Sequence, residues 1–176
     1  MDIVSVSPET MLGQSREASF TELYSRYARD VYRFALYLSG DSKLAEDITS
    51  ETFLRVWVTD TPIRLETVKS WLLTIVRNLF LHELRHLRRT QELPLDLCSP
   101  NSLTAAVQAK QELANLMAAV ASLPEIDRSA LLLRSLEGCS YQEIAAILGI
   151  SLASAKVKVH RARLRLGQLK NSEGNL

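Results

Sequence analysis

Tyr141-Gln142-Glu143-Ile144-Ala145-Ala146-Ile147-Leu148-Gly149-Ile150-Ser151 runs directly into Leu152-Ala153-Ser154-Ala155-Lys156-Val157-Lys158-Val159-His160-Arg161-Ala162-Arg163-Leu164-Arg165-Leu166. The first part reads as a short helix closed by glycine, the second as a basic amphipathic helix opened by serine. Gly149 suits a left-handed turn, Ser151 is a good N-cap, and small Ala145 lets two helices cross closely. Together they predict a helix-turn-helix whose second helix enters a DNA groove. An ordinary basic surface helix would need none of this turn chemistry. At 100° per residue, Ala155, Val159, Ala162, Leu166 and Leu169 share a buried face. Ala153, Val157, His160 and Leu164 centre the opposite face, flanked by Lys156 and Arg161, with Lys158, Arg163 and Arg165 placed further round for phosphates.

Working outward, the rest of the 176 residues also reads as helix. Hydrophobic residues make up 47% but aromatics only 6%, a Leu- and Ala-rich mix that favours packed helices over sheets. Residues 1 to about 14 read as a loose polar arm. A helix follows from about Arg16 to Ser39, burying Phe20, Leu23, Tyr24, Tyr27, Val31, Phe34 and Leu38. Gly40 ends it, and Asp41 or Ser42 caps a second helix to about Val58. After a loop around Pro62, a third helix from about Thr67 to Arg89 buries Trp71, Leu72, Ile75, Val76, Leu79 and Leu84. Residues 91–104, with Pro94, Pro100, Asn101 and two serines, predict a flexible linker. Fully extended, such a linker reaches about 46 Å. Beyond it, Ala106, Ala109, Leu113, Leu116, Met117 and Val120 line one helix, and Pro124 opens another with Ile126, Ala130, Leu133 and Leu136 inward. The expected fold is all-α: two small helical domains, 14–90 and 105–170, joined by the linker 91–104, the second containing the helix-turn-helix.

The net charge of +1 hides a segregation: residues 154–170 hold six Lys or Arg and no acid, whereas 41–60 hold five acids against Lys43 and Arg55. One surface should attract phosphates and another a basic partner. Cys98 and Cys139 form no disulfide framework and no zinc spacing, which suits a reduced cytosol. The N-terminus lacks the pattern of a signal peptide, and no apolar run approaches the roughly 18 residues of a membrane span.

One motif invites a different chemistry. His82-Glu83-Leu84-Arg85-His86 fits H-E-x-x-H, in which two histidines on one helix face bind zinc beside a glutamate base. No further histidine motif follows, a third ligand would have to come from as far away as Glu112, and Arg77, Arg85, Arg88 and Arg89 oppose a dication. Asn78, His82, Arg85 and Arg89 instead form a stripe suited to DNA. Neither a metal nor a cofactor nor catalysis is expected.

The first half narrows the reading. Ala45-Glu46-Asp47-Ile48-Thr49-Ser50-Glu51-Thr52-Phe53-Leu54-Arg55-Val56-Trp57 resembles the second-region signature of bacterial RNA polymerase sigma factors of the extracytoplasmic-function (ECF) group. So does Ser70-Trp71-Leu72-Leu73-Thr74-Ile75-Val76-Arg77-Asn78-Leu79 with Leu84-Arg85 and Arg88-Arg89. Leu123-Pro124-Glu125 with Arg128, Tyr141-Gln142-Glu143-Ile144-Ala145, and Lys156 with His160-Arg161-Ala162-Arg163 resemble the fourth-region signature. The resemblance covers about residues 16–168, in the family's order, and no further domain is expected after it.

This resemblance implies roles. Asp47, Ser50 and Glu51 would bind core polymerase at its β′ coiled coil. Trp71, Arg77, Asn78, His82, Arg85, Arg88 and Arg89 would hold the minus-ten element. Ser151, Ala153, Ser154, Lys156, Val157, Lys158, His160, Arg161 and Arg163 would read the minus-thirty-five element. It implies a dissociable specificity subunit contacting the β′ and β subunits of core RNA polymerase and promoter DNA, under an anti-sigma factor, in the cytoplasm and not inserted in a membrane. Three departures stand out: Ser50 where the family usually has Gln, His82 where Asp is common, and Ala153-Ser154-Ala155 where Gly-Thr-Val often opens the recognition helix. A stand-alone helix-turn-helix regulator is the alternative, and a zinc peptidase a distant third.

Overall fold

The computed structural model describes residues 8–59, 67–90 and 114–173, with side chains described for 19–59, 67–87 and 114–168. Seven helical segments appear in this part, and among the described residues there is no strand. They are α1 (Pro8–Ser39), α2 (Ser42–Val58), α3 (Val68–Thr90), α4 (described over 114–121), α5 (Glu125–Ser135), α6 (Tyr141–Leu148) and α7 (Leu152–Glu173).

Sequence chemistry sets their ends. Helix α1 begins at Pro8, well before the expected Arg16. The polar composition there hides a start signal, because proline is pre-set for the first helical position and Glu9 favours the first turn. At the other end Gly40 takes φ +74° and its N–H donates to the Leu36 carbonyl at 2.8 Å. Asp41, rather than Ser42, caps α2 by accepting from the Leu44 N–H at 3.0 Å. The loop 60–66 and residues 91–113, which include the expected linker with Cys98 and the positions Ala106, Ala109, Glu112 and Leu113, lie outside the described residues.

Helices α1, α2 and α3 close around Val31, Phe34, Leu38, Ile48, Phe53, Leu72 and Val76, all buried. Full burial of a side chain such as Phe34 or Leu72 contributes about 1.5–3 kcal/mol. Phe20 meets Trp57 edge-on at 5.0 Å between centroids, and Tyr24 meets Phe53 at 4.7 Å, which ties α1 to α2. Tyr24 is nevertheless 47% exposed, and Leu116 in α4 is 52% exposed, so both stand at the edge of their stripes rather than inside. A helical period identifies a face; it does not say how much of that face a neighbour covers.

In the second half, α5 and α6 pack on α7 through Leu133, Ile144, Ile147, Ala155 and Val159. The two halves do not keep separate cores. One apolar cluster continues from Phe34 and Leu72 to Leu133 and Ile144, with α1 against α5 and α3 against α6.

Candidate nucleic-acid interface

The helix-turn-helix forms as its turn chemistry predicts. Ser140 caps α6 by accepting from the Glu143 N–H, while the Glu143 carboxylate accepts from the Ser140 N–H at 2.7 Å, a complete capping box. These backbone and side-chain bonds from Ser140 hold the Glu143 carboxyl below its ordinary range. Gly149 closes α6 at φ +64°, and the Ile150 N–H donates back to the Ala145 carbonyl at 3.0 Å. Ser151 caps α7 by accepting from the Ser154 N–H at 3.2 Å, and its hydroxyl donates to the Ser154 hydroxyl at 3.0 Å. Both serines are therefore engaged with each other at the start of the recognition helix.

On α7, Ala155, Val159 and Ala162 are buried. Ala153, Lys156, Val157, His160 and Arg163 are exposed, and Val157 shows 59% of its surface. Apart from Arg163, which the helical wheel places further round, these lie on the face that the wheel sets opposite the buried stripe, together with Leu164, 54% exposed. Two flanking cations behave differently. Arg161 donates through Nε and Nη2 to the two carboxylate oxygens of Asp127 on α5, both at 2.6 Å. Lys158 Nζ lies 3.7 Å from the same carboxylate, whose side chain is fully buried. Burial alone would raise the Asp127 carboxyl, but Arg161, Lys158 and Arg165 hold it below its ordinary value, and Arg161 is raised in turn. Asp127 is thus a strut between α5 and the recognition helix that sequence patterns did not single out.

On α3, Asn78, His82 and Arg85 are exposed along one side. Arg85 Nε donates to the Leu81 carbonyl at 3.0 Å, and His82 Nδ1 lies 3.2 Å from Glu83. Trp71 is half-buried against the core. Arg77 is not available in this state: it is 9% exposed and donates to both Glu125 oxygens, at 3.1 and 3.2 Å. The side chains of Arg88 and Arg89 lie outside the described residues. Among the described residues no group of three His, Cys, Asp or Glu side chains could hold a metal ion; Glu112, the distant carboxylate weighed as a third ligand for His82 and His86, lies outside them.

On α2, Asp47 and Ser50 are exposed and Glu51 is half-exposed, paired with Arg55 at 2.8 Å. Leu54 and Val58 extend the same ridge and are 56% and 65% exposed. Aliphatic side chains thus stand exposed beside an acidic row. Sequence reading passes over them because the whole helix is rich in apolar residues. No helix among the described residues is long and apolar enough to cross a membrane.

Comparison with known proteins fits this geometry. Residues 23–90 match the family "Sigma-70 region 2", and residues 113–166 match "Sigma-70, region 4". The chain is 38% identical over 160 residues to the ECF RNA polymerase sigma factor SigE of Mycolicibacterium smegmatis, covering 87% of this chain and 62% of SigE. It is 35% identical over 156 residues to SigM of Bacillus subtilis, also an ECF RNA polymerase sigma factor, covering 85% of this chain and 94% of SigM. Among solved structures it resembles the sigma factor RpoE in complex with the anti-sigma factor NepR from Bartonella quintana, with a TM-score of 0.70, 28% identity, and coverage of 87% of this chain and 97% of RpoE. CnrH, solved with the cytosolic domain of CnrY, shares the fold at a TM-score of 0.65 and 22% identity, covering 91% of this chain and 94% of CnrH.

Proposed function

We propose a function from one premise: the chain belongs to the ECF RNA polymerase sigma factors. It binds core polymerase, recognises a promoter through both modules, assists strand opening and directs initiation. It catalyses nothing itself and works in the cytoplasm beside polymerase and chromosome. The observation that carries this reading is the pairing, in one chain and in the family's order, of region 2 and region 4 matches with an acidic, aliphatic ridge on α2 and an exposed reading face on α7.

Asp47, Ser50 and Glu51, together with Leu54 and Val58, form the docking ridge for the polymerase β′ coiled coil; acids there pair with basic residues and the aliphatics are covered. Asn78, His82 and Arg85 track the opened strand at the minus-ten element, joined by Arg77, Trp71, Arg88 and Arg89. Ala153, Lys156, Val157 and His160 face the major groove of the minus-thirty-five element, and Lys158, Arg163 and the partly exposed Arg161 hold phosphates. Ser151 and Ser154 fix the first turn of that helix. An anti-sigma factor binds the chain and holds it in reserve; the RpoE that the chain resembles was solved in complex with the anti-sigma factor NepR. Footprinting with and without core polymerase tests the reading. Protection of both elements only with core supports it; equal protection by the chain alone favours a stand-alone regulator.

A further inference from the structure

Three cations share one edge of the recognition helix. Lys158, Arg161 and Arg165 follow one another at spacings of three and four residues, so they stand in a row along α7. Like charges at these spacings repel. A single carboxylate from another helix holds the row together. Asp127 accepts from Arg161 Nε through Oδ2 and from Arg161 Nη2 through Oδ1, both at 2.6 Å. Lys158 Nζ lies 3.7 Å from Oδ1, and Arg165 acts on the same carboxyl through its charge.

The start of α5 explains why this carboxylate is available. Asp127 is the third residue of the helix, where the dipole favours an anion and where an acid commonly closes its own helix by accepting from the N-cap N–H. Here the N-cap is Pro124, which has no N–H to give, and no side chain caps α5. The Asp127 carboxylate therefore reaches across to α7.

The pairing leaves Arg161 with a second binding edge. A guanidinium carries five N–H donors in one rigid plane. Asp127 takes the side-on pair, on Nε and Nη2. The end-on pair, on Nη1 and Nη2, remains, and it matches two oxygens of a phosphate. The carboxylate has no exposed surface, whereas the Arg161 side chain is 43% exposed. The anion thus lies behind the guanidinium and water lies in front of it. Two effects then compete at the DNA. Charge alone sets Asp127 against a phosphate. Pre-organisation favours it, because an arginine already held in one plane loses less rotamer freedom on binding. Three cations offset the one carboxylate, so the edge stays net positive and pre-organisation wins.

We propose that Asp127 is a positioning residue for the minus-thirty-five contact: it fixes Arg161 so that the end-on edge of the guanidinium meets one backbone phosphate. The inference rests on the sigma-factor reading for the identity of the element, though not for the contact with DNA.

Fluorescence anisotropy of the full chain on a labelled duplex of mixed sequence tests the contact without a promoter, starting at low salt, where non-specific binding is measurable. D127N keeps the side chain's size and raises the net charge of +1 by one unit, so charge alone predicts tighter binding. The proposal predicts binding weaker by about fivefold to tenfold at about 0.1 M salt, with a salt slope shallower by about one unit, the signature of one lost phosphate. R161K keeps the charge and removes the fork. In that background Asp127 only repels, so D127N/R161K should bind as tightly as R161K or tighter. A folding defect would instead add to the loss in R161K, and the far-ultraviolet helix signal checks every variant. The Arg161 Nε–H resonance, identified by its loss in R161K, should be sharp in the wild type, absent in D127N and retained when duplex is added. Wild-type or tighter binding by D127N, a further loss in D127N/R161K, or disappearance of the resonance on adding duplex overturns the proposal. Run-off transcription with core polymerase separates the two readings. A wild type that initiates while D127N binds normally refutes the positioning alone, whereas a wild type that never initiates while the reversal of sign holds refutes the polymerase role alone.

Discussion

Asp127→Ala removes the carboxylate that joins α5 to the recognition helix, and the structure sets the size of the loss. Two charge-assisted hydrogen bonds of 2.6 Å disappear. Bonds to charged groups contribute about 1.5–3 kcal/mol when both partners are shielded. Here the Arg161 side chain is 43% exposed, so water re-solvates it once its partner has gone. The net cost should therefore be about 1–2 kcal/mol. Arg161→Ala should be worse, because it takes both 2.6 Å hydrogen bonds from a fully buried carboxylate and leaves it only the weaker influence of Lys158, 3.7 Å away, and Arg165. Asp127→Ala/Arg161→Ala should then be less damaging than the sum of the two, since the second change removes the charge stranded by the first. Guanidinium unfolding followed by circular dichroism gives all three values. A milder effect of Arg161→Ala than of Asp127→Ala would refute the idea of a buried anion held by a solvent-facing cation. The pH dependence has a fixed sign. The folded Asp127 carboxyl titrates below its ordinary 3.8, so the pair's contribution is whole above that value and is lost as pH falls through the folded one.

Other consequences are simpler. Gly149→Ala meets no atom within 4 Å, so its cost is the left-handed backbone at φ +64° alone, about 1–2 kcal/mol by thermal unfolding; a neutral effect would show that the turn relaxes. Burial pushes the Cys139 thiol up to about 11, so at pH 8 only about one thiol in a thousand is ionised, and peptide mapping after brief alkylation should find Cys139 unmodified in the folded chain. Rapid labelling there would contradict its burial. Leu54→Asp, at a position 56% exposed, should leave unfolding within about 0.5 kcal/mol of wild type yet weaken binding to core polymerase at least tenfold; unchanged affinity would remove Leu54 from the docking ridge.

Much of this architecture is legible in one chain because its signals are local. Gly149, Ser151 and the Ser140-x-x-Glu143 capping box are written within a few residues of the backbone groups they satisfy. The stripe Ala155, Val159, Ala162 follows from helical period alone, and so does the exposed face opposite it. The pairings that shape the assembled molecule are of another kind. Arg33 and Glu137 stand 104 positions apart, Arg77 and Glu125 48, and Asp127 and Arg161 34. Nothing in a single sequence links such partners, and every one of these charged residues reads equally well as a solvated surface group. Arg77 and Arg161 show the consequence: residue type and helical face suggest phosphate contacts, whereas in this state carboxylates hold them. Tyr24 and Leu116 miss full burial because period places them on a face whose edge is set by neighbouring helices.

The measurement closest to the central claim is run-off transcription from genomic fragments by core RNA polymerase with and without the purified chain. Discrete start sites should appear only with the chain, each preceded by the same pair of upstream elements, and they should weaken when Asp47→Ala or Lys156→Ala replaces wild type. An unchanged transcript pattern on adding a chain that binds core normally would contradict its role as an initiation factor.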